Sequence, residues 1–387
     1  MIASVKVVCA PDSYKECLSA TAAAAAMADG VRRALPDAEV DVCPVADGGE
    51  GTVEALVSAL GGEYRESPVT GPCGEPVVAR WGLVDRDTAI IEMAAAAGLQ
   101  LVPRTRRDPR RTTTFGVGEL MLAAARAGAR RLIVGLGGSA TVDGGCGMAQ
   151  ALGWRFREGD GDGNGPGRLL EAPLTGGDLL SARHIGAGGA EAVLAGAEVI
   201  GACDVDAPLL GAAGAATVFG PQKGADPADV AELEQGVAHL SRLVRRELGA
   251  DMATLRYGGA AGGLGAGLAV FARARLESGI ERVLETCRFG ERLQGADLCL
   301  TGEGRIDGQT LAGKACLGVA RAAAARGVPT VALVGAAGPD ADAVLSAGLT
   351  EWRLIGPGLT PRESMRHAST LLAAAAGEAA LERAGAR

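Results

Sequence analysis

A chain of 387 residues, 48% hydrophobic and 22% charged with a formal charge of −8, reads as an acidic globule long enough for two domains. That charge argues against sequence-independent binding to DNA or RNA, and no uncharged apolar run is long enough to span a bilayer. Aromatics are only 3% while glycines number 60, so the core is expected to rest on Ala, Val and Leu between many tight turns, which favours α/β layers over a β sandwich.

The apolar run Val5–Ala10 reads as a strand buried on both faces, breaking at Pro11 into the polar loop 11–16. Ser19 or Thr21 caps an Ala-rich helix that runs to Leu35. Val40–Val45 is the next strand, 46–51 its loop, and Thr52–Leu60 the next helix, closed by Gly61 and Gly62. Short β-α-β-α connections with right-handed crossovers predict a parallel sheet whose loops 11–16 and 46–51 lie side by side. From Ser67 the rhythm changes, with antiparallel pairing expected for 77–84 and 88–94. The basic run 104–111 reads as a solvated loop, or else as a positive lip for anions.

A helix over 116–127 leads to the strand Leu132–Leu136, which opens into Gly137, Gly138, Ser139, Thr141, Asp143, Gly144 and Gly145. Glycine lets backbone N–H groups approach a ligand, so such a loop is a natural anion cradle. Asp160, Asp162, Asn164, Gly165 and Glu171 match the spacing of an EF-hand calcium loop, but a strand precedes them and no second hand exists, so a polar turn excursion is expected. A strand over 197–203 precedes Asp204 and Asp206; Gln222 and Lys223 follow as candidate ligand contacts, then a helix Pro227–Leu248 and a glycine tract over 257–272. From Ala296 the β-α rhythm returns: a strand Leu298–Gly302, a helix Lys314–Arg326, a strand over 329–335, a helix through Leu345, a strand over 352–355 and a long C-terminal helix. One architecture at both ends of a different middle predicts an insertion, residues 1–66 with 295–387 forming one domain and 67–294 the other. Nine cysteines without a CxxC pair read as free thiols in a reducing compartment, and the absence of a signal-like N-terminus points to the cytoplasm.

Residues 308–314 match the first seven positions of a P-loop, but Ala315 stands where a magnesium-binding hydroxyl belongs. Residues 135–140 also fit a short dinucleotide fingerprint with Glu158 as ribose partner, making a nicotinamide-dependent dehydrogenase of a small hydroxy acid the alternative class. A serine hydrolase is disfavoured, since 137–141 lacks the last glycine of a nucleophile elbow and the three histidines lie outside the glycine loops. Phosphoryl transfer fits best: it needs N–H groups and cations for phosphates, carboxylates for Mg²⁺, and a base for the attacking hydroxyl.

Taken in order, APDSYKECLSA, PVADGGEGT, GLGGSATVDGG, ACDVDAPLLG, FGPQKGA, GAAGGLGAG and LTGEGRIDGQTLAGKA closely resemble the bacterial type of glycerate kinase over nearly the whole chain. The resemblance implies transfer of the ATP γ-phosphoryl group to D-glycerate with Mg²⁺, usually giving 2-phosphoglycerate, 3-kinase regiochemistry being the alternative. It also implies a Rossmann-like, flavodoxin-like parallel-sheet domain interrupted by a second α/β domain. A monomer or small homo-oligomer is expected.

Expected roles follow from the chemistry of the loops. The glycerate carboxylate is placed against Lys15 and the backbone of Gly48, Gly49, Glu50 and Gly51, with Asp12 and Ser13 in the same substrate group. Asp47 is placed nearest the reacting hydroxyl. Gly137, Gly138, Ser139 and Lys314 are assigned to the ATP phosphates, with Gln222, Lys223, Glu303 and Asp307 also on the nucleotide side. Asp204 or Asp143 is assigned to Mg²⁺, and Asp204 and Arg305 join Lys15 and Asp47 as catalytic residues.

Overall fold

The computed structural model describes residues 5–159, 167–171, 173–189, 194–308, 310 and 315–386. Lys314 and the calcium-like Asp160, Asp162, Asn164 and Gly165 lie outside the described residues. The chain divides into two units: Met1–Asp47, Gly51–Gly61 and Ser278–Arg387 form the first, Gly48–Glu50 and Gly62–Glu277 the second.

The first unit holds a five-stranded sheet, all parallel, with Lys6–Cys9 between Glu39–Val42 and Leu298–Ile306, then Thr330–Ala337 and Glu351–Leu354. Its strands alternate between two cores, as a sheet covered on both faces must. Val7, Cys9, Leu298, Leu300, Val331 and Leu333 pack with helices Ala20–Ala34 and Ala368–Gly385. Ala332, Val334 and Ile306 pack with the helix Ala315–Ala324. The near absence of aromatics permits close helix approach: Gly30 lies against the main chain of Ala373, where an added Cβ would overlap the carbonyl oxygen. Gly30→Val is expected to cost about 1–3 kcal/mol through this overlap, read as a lower urea midpoint.

Several boundaries differ from expectation for identifiable reasons. The second strand ends at Val42, and the next residues keep step with the first strand's continuation through Cys43 N–H to the Cys9 carbonyl and Val45 N–H to the Pro11 carbonyl. The strand expected to stop at Gly302 continues to Ile306, because Thr330–Ala337 pairs with it to its end. The expected helix through Leu345 is a 3₁₀ segment, Ala341–Ala347. Residues 278–294 belong to the first unit, not the second. Arg292 ties them there, donating to Asp41 at 2.6 Å, the Ala59 carbonyl at 2.8 Å and the Cys287 carbonyl at 3.0 Å.

The second unit starts at Gly62, ahead of the expected Ser67. Its six-stranded sheet runs Arg275–Glu277, Glu198–Ala202, Arg131–Gly135, Thr88–Glu92, Pro76–Val84 and Glu63–Thr70. Among the last three strands each neighbouring pair is antiparallel, and the other neighbours are parallel. A smaller antiparallel sheet contains Arg155–Glu158, the strand expected ahead of the calcium-like stretch. Arg110, from the basic run, makes a paired contact with Asp108 and reaches Asp229 at 2.6 Å, so this arginine braces the start of the Pro227–Leu248 helix. Among the described residues no helix is long and apolar enough to cross a membrane.

Candidate active site

In an open parallel sheet, ligands collect at the carboxyl ends of strands where the connections diverge to opposite sides. In the first unit that point lies between Lys6–Cys9 and Leu298–Ile306, and a cavity of about 530 Å³ opens there. Asp12 is carried to it by a continuation of strand pairing, its N–H donating to the Gly302 carbonyl at 2.9 Å. The loop after Val42, in step with the same segment, brings Asp47 to the cavity. A tight turn then presents Lys15: Tyr14 and Leu18 exchange backbone hydrogen bonds, and Glu16 has φ 64°. Tyr14 is buried beneath, its hydroxyl donating to the Leu333 carbonyl at 2.5 Å.

Glu303 and Arg305 stand on the prolonged strand and so are held more rigidly than in the loop expected for them. Glu303, only 7% exposed, accepts from the Thr310 hydroxyl at 3.0 Å. That hydroxyl accepts from the Asp307 N–H at 3.1 Å, and Asp307 faces Arg305 at 3.2 Å. Asp12, Ser13, Lys15, Asp47, Glu303 and Arg305 therefore share one cavity. Burial pushes the Asp12 carboxyl up to about 7; Asp47 and Glu303 add to the rise, while the Ser13 N–H, donating at 2.6 Å, and Lys15 oppose it.

In the second unit the loop after Arg131–Gly135 is braced internally. Gly48 and Gly49 lie on Gly135 and Gly137, which have no room for a side chain, and the Gly137 N–H donates to the Gly48 carbonyl at 3.3 Å. The Ser139 hydroxyl accepts from Lys223 Nζ at 2.7 Å, and a second bond of 2.7 Å runs from Nζ to the Thr141 carbonyl. Lys223 is 2% exposed, and burial lowers its amine to about 7, with Asp143 pulling the other way. Gly137 and Ser139, expected on the ATP phosphates, and Lys223, expected on the nucleotide side, thus spend these polar groups within the protein, Gly137 on Gly48 and Lys223 on Ser139 and Thr141. Gly138 is exposed at φ 74°, and Gln222 is exposed on the Pro221–Lys223 turn.

Asp143 does not suit the metal role expected of it. It is fully buried, and its carboxylate accepts from the Thr114 N–H at 2.8 Å, the Thr114 hydroxyl at 2.7 Å, the Gly145 N–H at 3.1 Å and the Gly147 N–H at 3.3 Å. Burial raises its carboxyl and these four donors hold the rise back. It clamps its loop. Asp204 is half-buried just past Glu198–Ala202, whose neighbour in the sheet leads to Gly137. Among the described residues no three His, Cys, Asp or Glu side chains converge on a point suited to a metal.

Residues 7–382 match the glycerate kinase family. The chain belongs to that family. It is 47% identical to a glycerate kinase of Bacillus subtilis (strain 168) across 94% of each chain. It is 45% identical to a glycerate 2-kinase of Escherichia coli (strain K12) across 89% of each. A crystal structure from Salmonella typhimurium LT2, described as a candidate glycerate kinase 2, superposes with a TM-score of 0.87 at 42% identity, covering 99% of each chain. The dehydrogenase alternative falls with this membership: the chain is a kinase of the glycerate kinase family, on a two-domain α/β fold. Sequence reasoning about this family member missed Thr310, which sits inside a quoted motif but reads there as a loop hydroxyl. It also missed Thr114, whose pairing with Asp143 spans 29 positions.

Proposed function

We propose that the chain transfers the γ-phosphoryl group of ATP to D-glycerate, giving 2-phosphoglycerate, with Mg²⁺ as the metal. The observation that carries this reading is the cavity in which Lys15 and Arg305 stand with Asp12, Asp47 and Glu303. A hydroxy acid needs a cation for its carboxylate and a proton acceptor for its hydroxyl, and the best acceptor has a pKa near the working pH. Asp12, pushed up to about 7, meets that condition, so the acceptor role passes from Asp47 to Asp12, with Asp47 as the neighbouring charge that sustains it. As the glycerate oxygen bonds to the γ-phosphorus, the bond from that phosphorus to the β–γ bridging oxygen breaks, the hydroxyl proton goes to Asp12, and ADP departs. Lys15 holds the acceptor and Arg305 faces the transferring charge.

Mg²⁺ is usually bound by one or two carboxylates plus substrate phosphates rather than by an all-protein cage. The lack of a three-ligand cluster among the described residues agrees with that pattern. When bound, Mg²⁺ would neutralise phosphate charge. The 2-phospho product is favoured by likeness to the E. coli relative named glycerate 2-kinase.

The test is coupled detection of ADP with D-glycerate, followed by ³¹P and ¹³C NMR of the product. D-glycerate-dependent ADP release is expected, with phosphorus coupled to C2. Melting temperature should rise with ATP and Mg²⁺ and stay unchanged with NAD, since only a ligand of the native state stabilises it by mass action. No ADP release, or stabilisation by NAD alone, would reject the reading.

A further inference from the structure

The cavity is too large and too apolar for a three-carbon acid. Beyond the carboxylates its floor is Gly304, Gly335, Ala336 and Ala337, residues too small to divide it. Gly335 cannot carry a side chain here, because an added Cβ would stand 2.7 Å from the Gly304 carbonyl oxygen. The far end is walled by Leu354, Ile355, Leu359 and Met365, from the end of the strand Glu351–Leu354, the segment that follows it and the short helix Pro361–Arg366. Ser364 lines the same end; it is 7% exposed, and its hydroxyl makes no hydrogen bond to the described residues. Gly356 opposite leaves that hydroxyl uncovered, since an added Cβ would lie 3.2 Å from it.

We propose that this apolar end receives the adenine ring and ribose of the nucleotide, with the phosphate chain running over the glycine floor toward Asp12, Asp47 and Glu303. This rests on the kinase reading and goes further by giving the nucleotide a seat within the first unit. A volume of about 530 Å³ falls in the ordinary range for ligands larger than glycerate. A purine has two apolar faces and a polar edge, which matches aliphatic walls with one hydroxyl in reach. Glycerate, with a polar group on every carbon, would gain nothing from Leu354, Leu359 or Met365. In the second unit, the Gly137 N–H and the Ser139 hydroxyl are already engaged by the Gly48 carbonyl and Lys223.

Met365→Trp fills the apolar end from a residue 42% exposed, and Leu359→Trp does so from the rim at 43% exposure, so at least one variant should fold. Each is expected to raise the KM for ATP, and the Kd for the fluorescent analogue N-methylanthraniloyl-ADP, about tenfold or more, leaving the KM for D-glycerate within about twofold. Ser364→Ala should weaken analogue binding by a smaller factor. A raised glycerate KM with unchanged nucleotide constants would overturn the proposal, as would two folded tryptophan variants indistinguishable from the parent. If the parent releases no ADP with D-glycerate, the kinase reading fails, and titration with the analogue still decides the pocket.

Discussion

Asp12→Asn is expected to lower kcat by about a hundredfold or more, the range lost when a positioned proton acceptor is removed. Asparagine keeps the shape and can still accept from the Ser13 N–H, but it cannot take the hydroxyl proton. The pH profile adds a signature that loss of fold would not produce. If activity needs ionised Asp12, kcat/KM of the parent falls below about pH 7. Asp47→Asn removes a charge that raises the Asp12 pKa, so the acid limb should move to lower pH in that variant. Stability should change in the opposite sense from activity. A carboxyl whose folded pKa lies above its ordinary value of 3.8 costs nothing below that value; the cost grows as pH rises from 3.8 and is complete above about 7. Asp12→Asn should therefore melt above the parent at pH 8, with the gain fading toward pH 4. Thermal unfolding across that range beside steady-state kinetics checks both, and an Asp12→Asn enzyme retaining most of its kcat would remove Asp12 from the proton path.

The second large effect is structural. Asp143→Asn should destabilise the second unit by about 3 kcal/mol or more, because donors confined in a buried site lose their acceptor. Three of the four bonds converge on Oδ2, from the Thr114 N–H, the Thr114 hydroxyl and the Gly147 N–H, while Oδ1 serves the Gly145 N–H. An amide has one acceptor oxygen and one NH₂, so whichever way it turns, a donor faces a donor. The damage should spread, since the same Thr114 hydroxyl accepts from the Met148 N–H at 2.9 Å. Urea unfolding measures it. A variant that unfolds with the parent but demands more Mg²⁺ would return Asp143 to the metal.

Legibility in the sequence followed the range of the interactions. Two helices governed by local capping and periodicity match the sequence reading to the residue: Thr52–Leu60 ends at Gly61 in the left-handed region, and Pro227–Leu248 starts from an Asp226 capping box. Strand ends were less legible because a partner decides them. Leu298–Ile306 runs past Gly302 only because Thr330–Ala337 accompanies it, and that pairing moves Glu303 and Arg305 from loop to strand. Asp12, Ser13, Lys15 and Asp47, singled out by their polar loops, all line the cavity, since acids and cations after buried strands are conspicuous. What motif reading could not reveal was how polar groups were already occupied: Lys223 and Ser139 are separated by 84 positions, and either alone looks available for phosphate. The apolar wall carried no signal, since Leu354 or Met365 in a sequence reads simply as core or surface filler.

The buried amine of Lys223 also bears on chemical damage. A lysine that loses its proton near neutrality is ordinarily the one that reactive carbonyls and acylating metabolites find first, since only the free amine attacks them. Here deprotonation and seclusion share one cause: the side chain titrates near 7 because it is sealed beside Ser139 and Thr141. Any opening wide enough to admit an electrophile also admits water, which returns the pKa toward 10.5 and reprotonates the nitrogen. The residue is unreactive in the closed state through access and in the open state through charge, so the lysine that braces this glycine-rich loop is shielded from adduct formation in both.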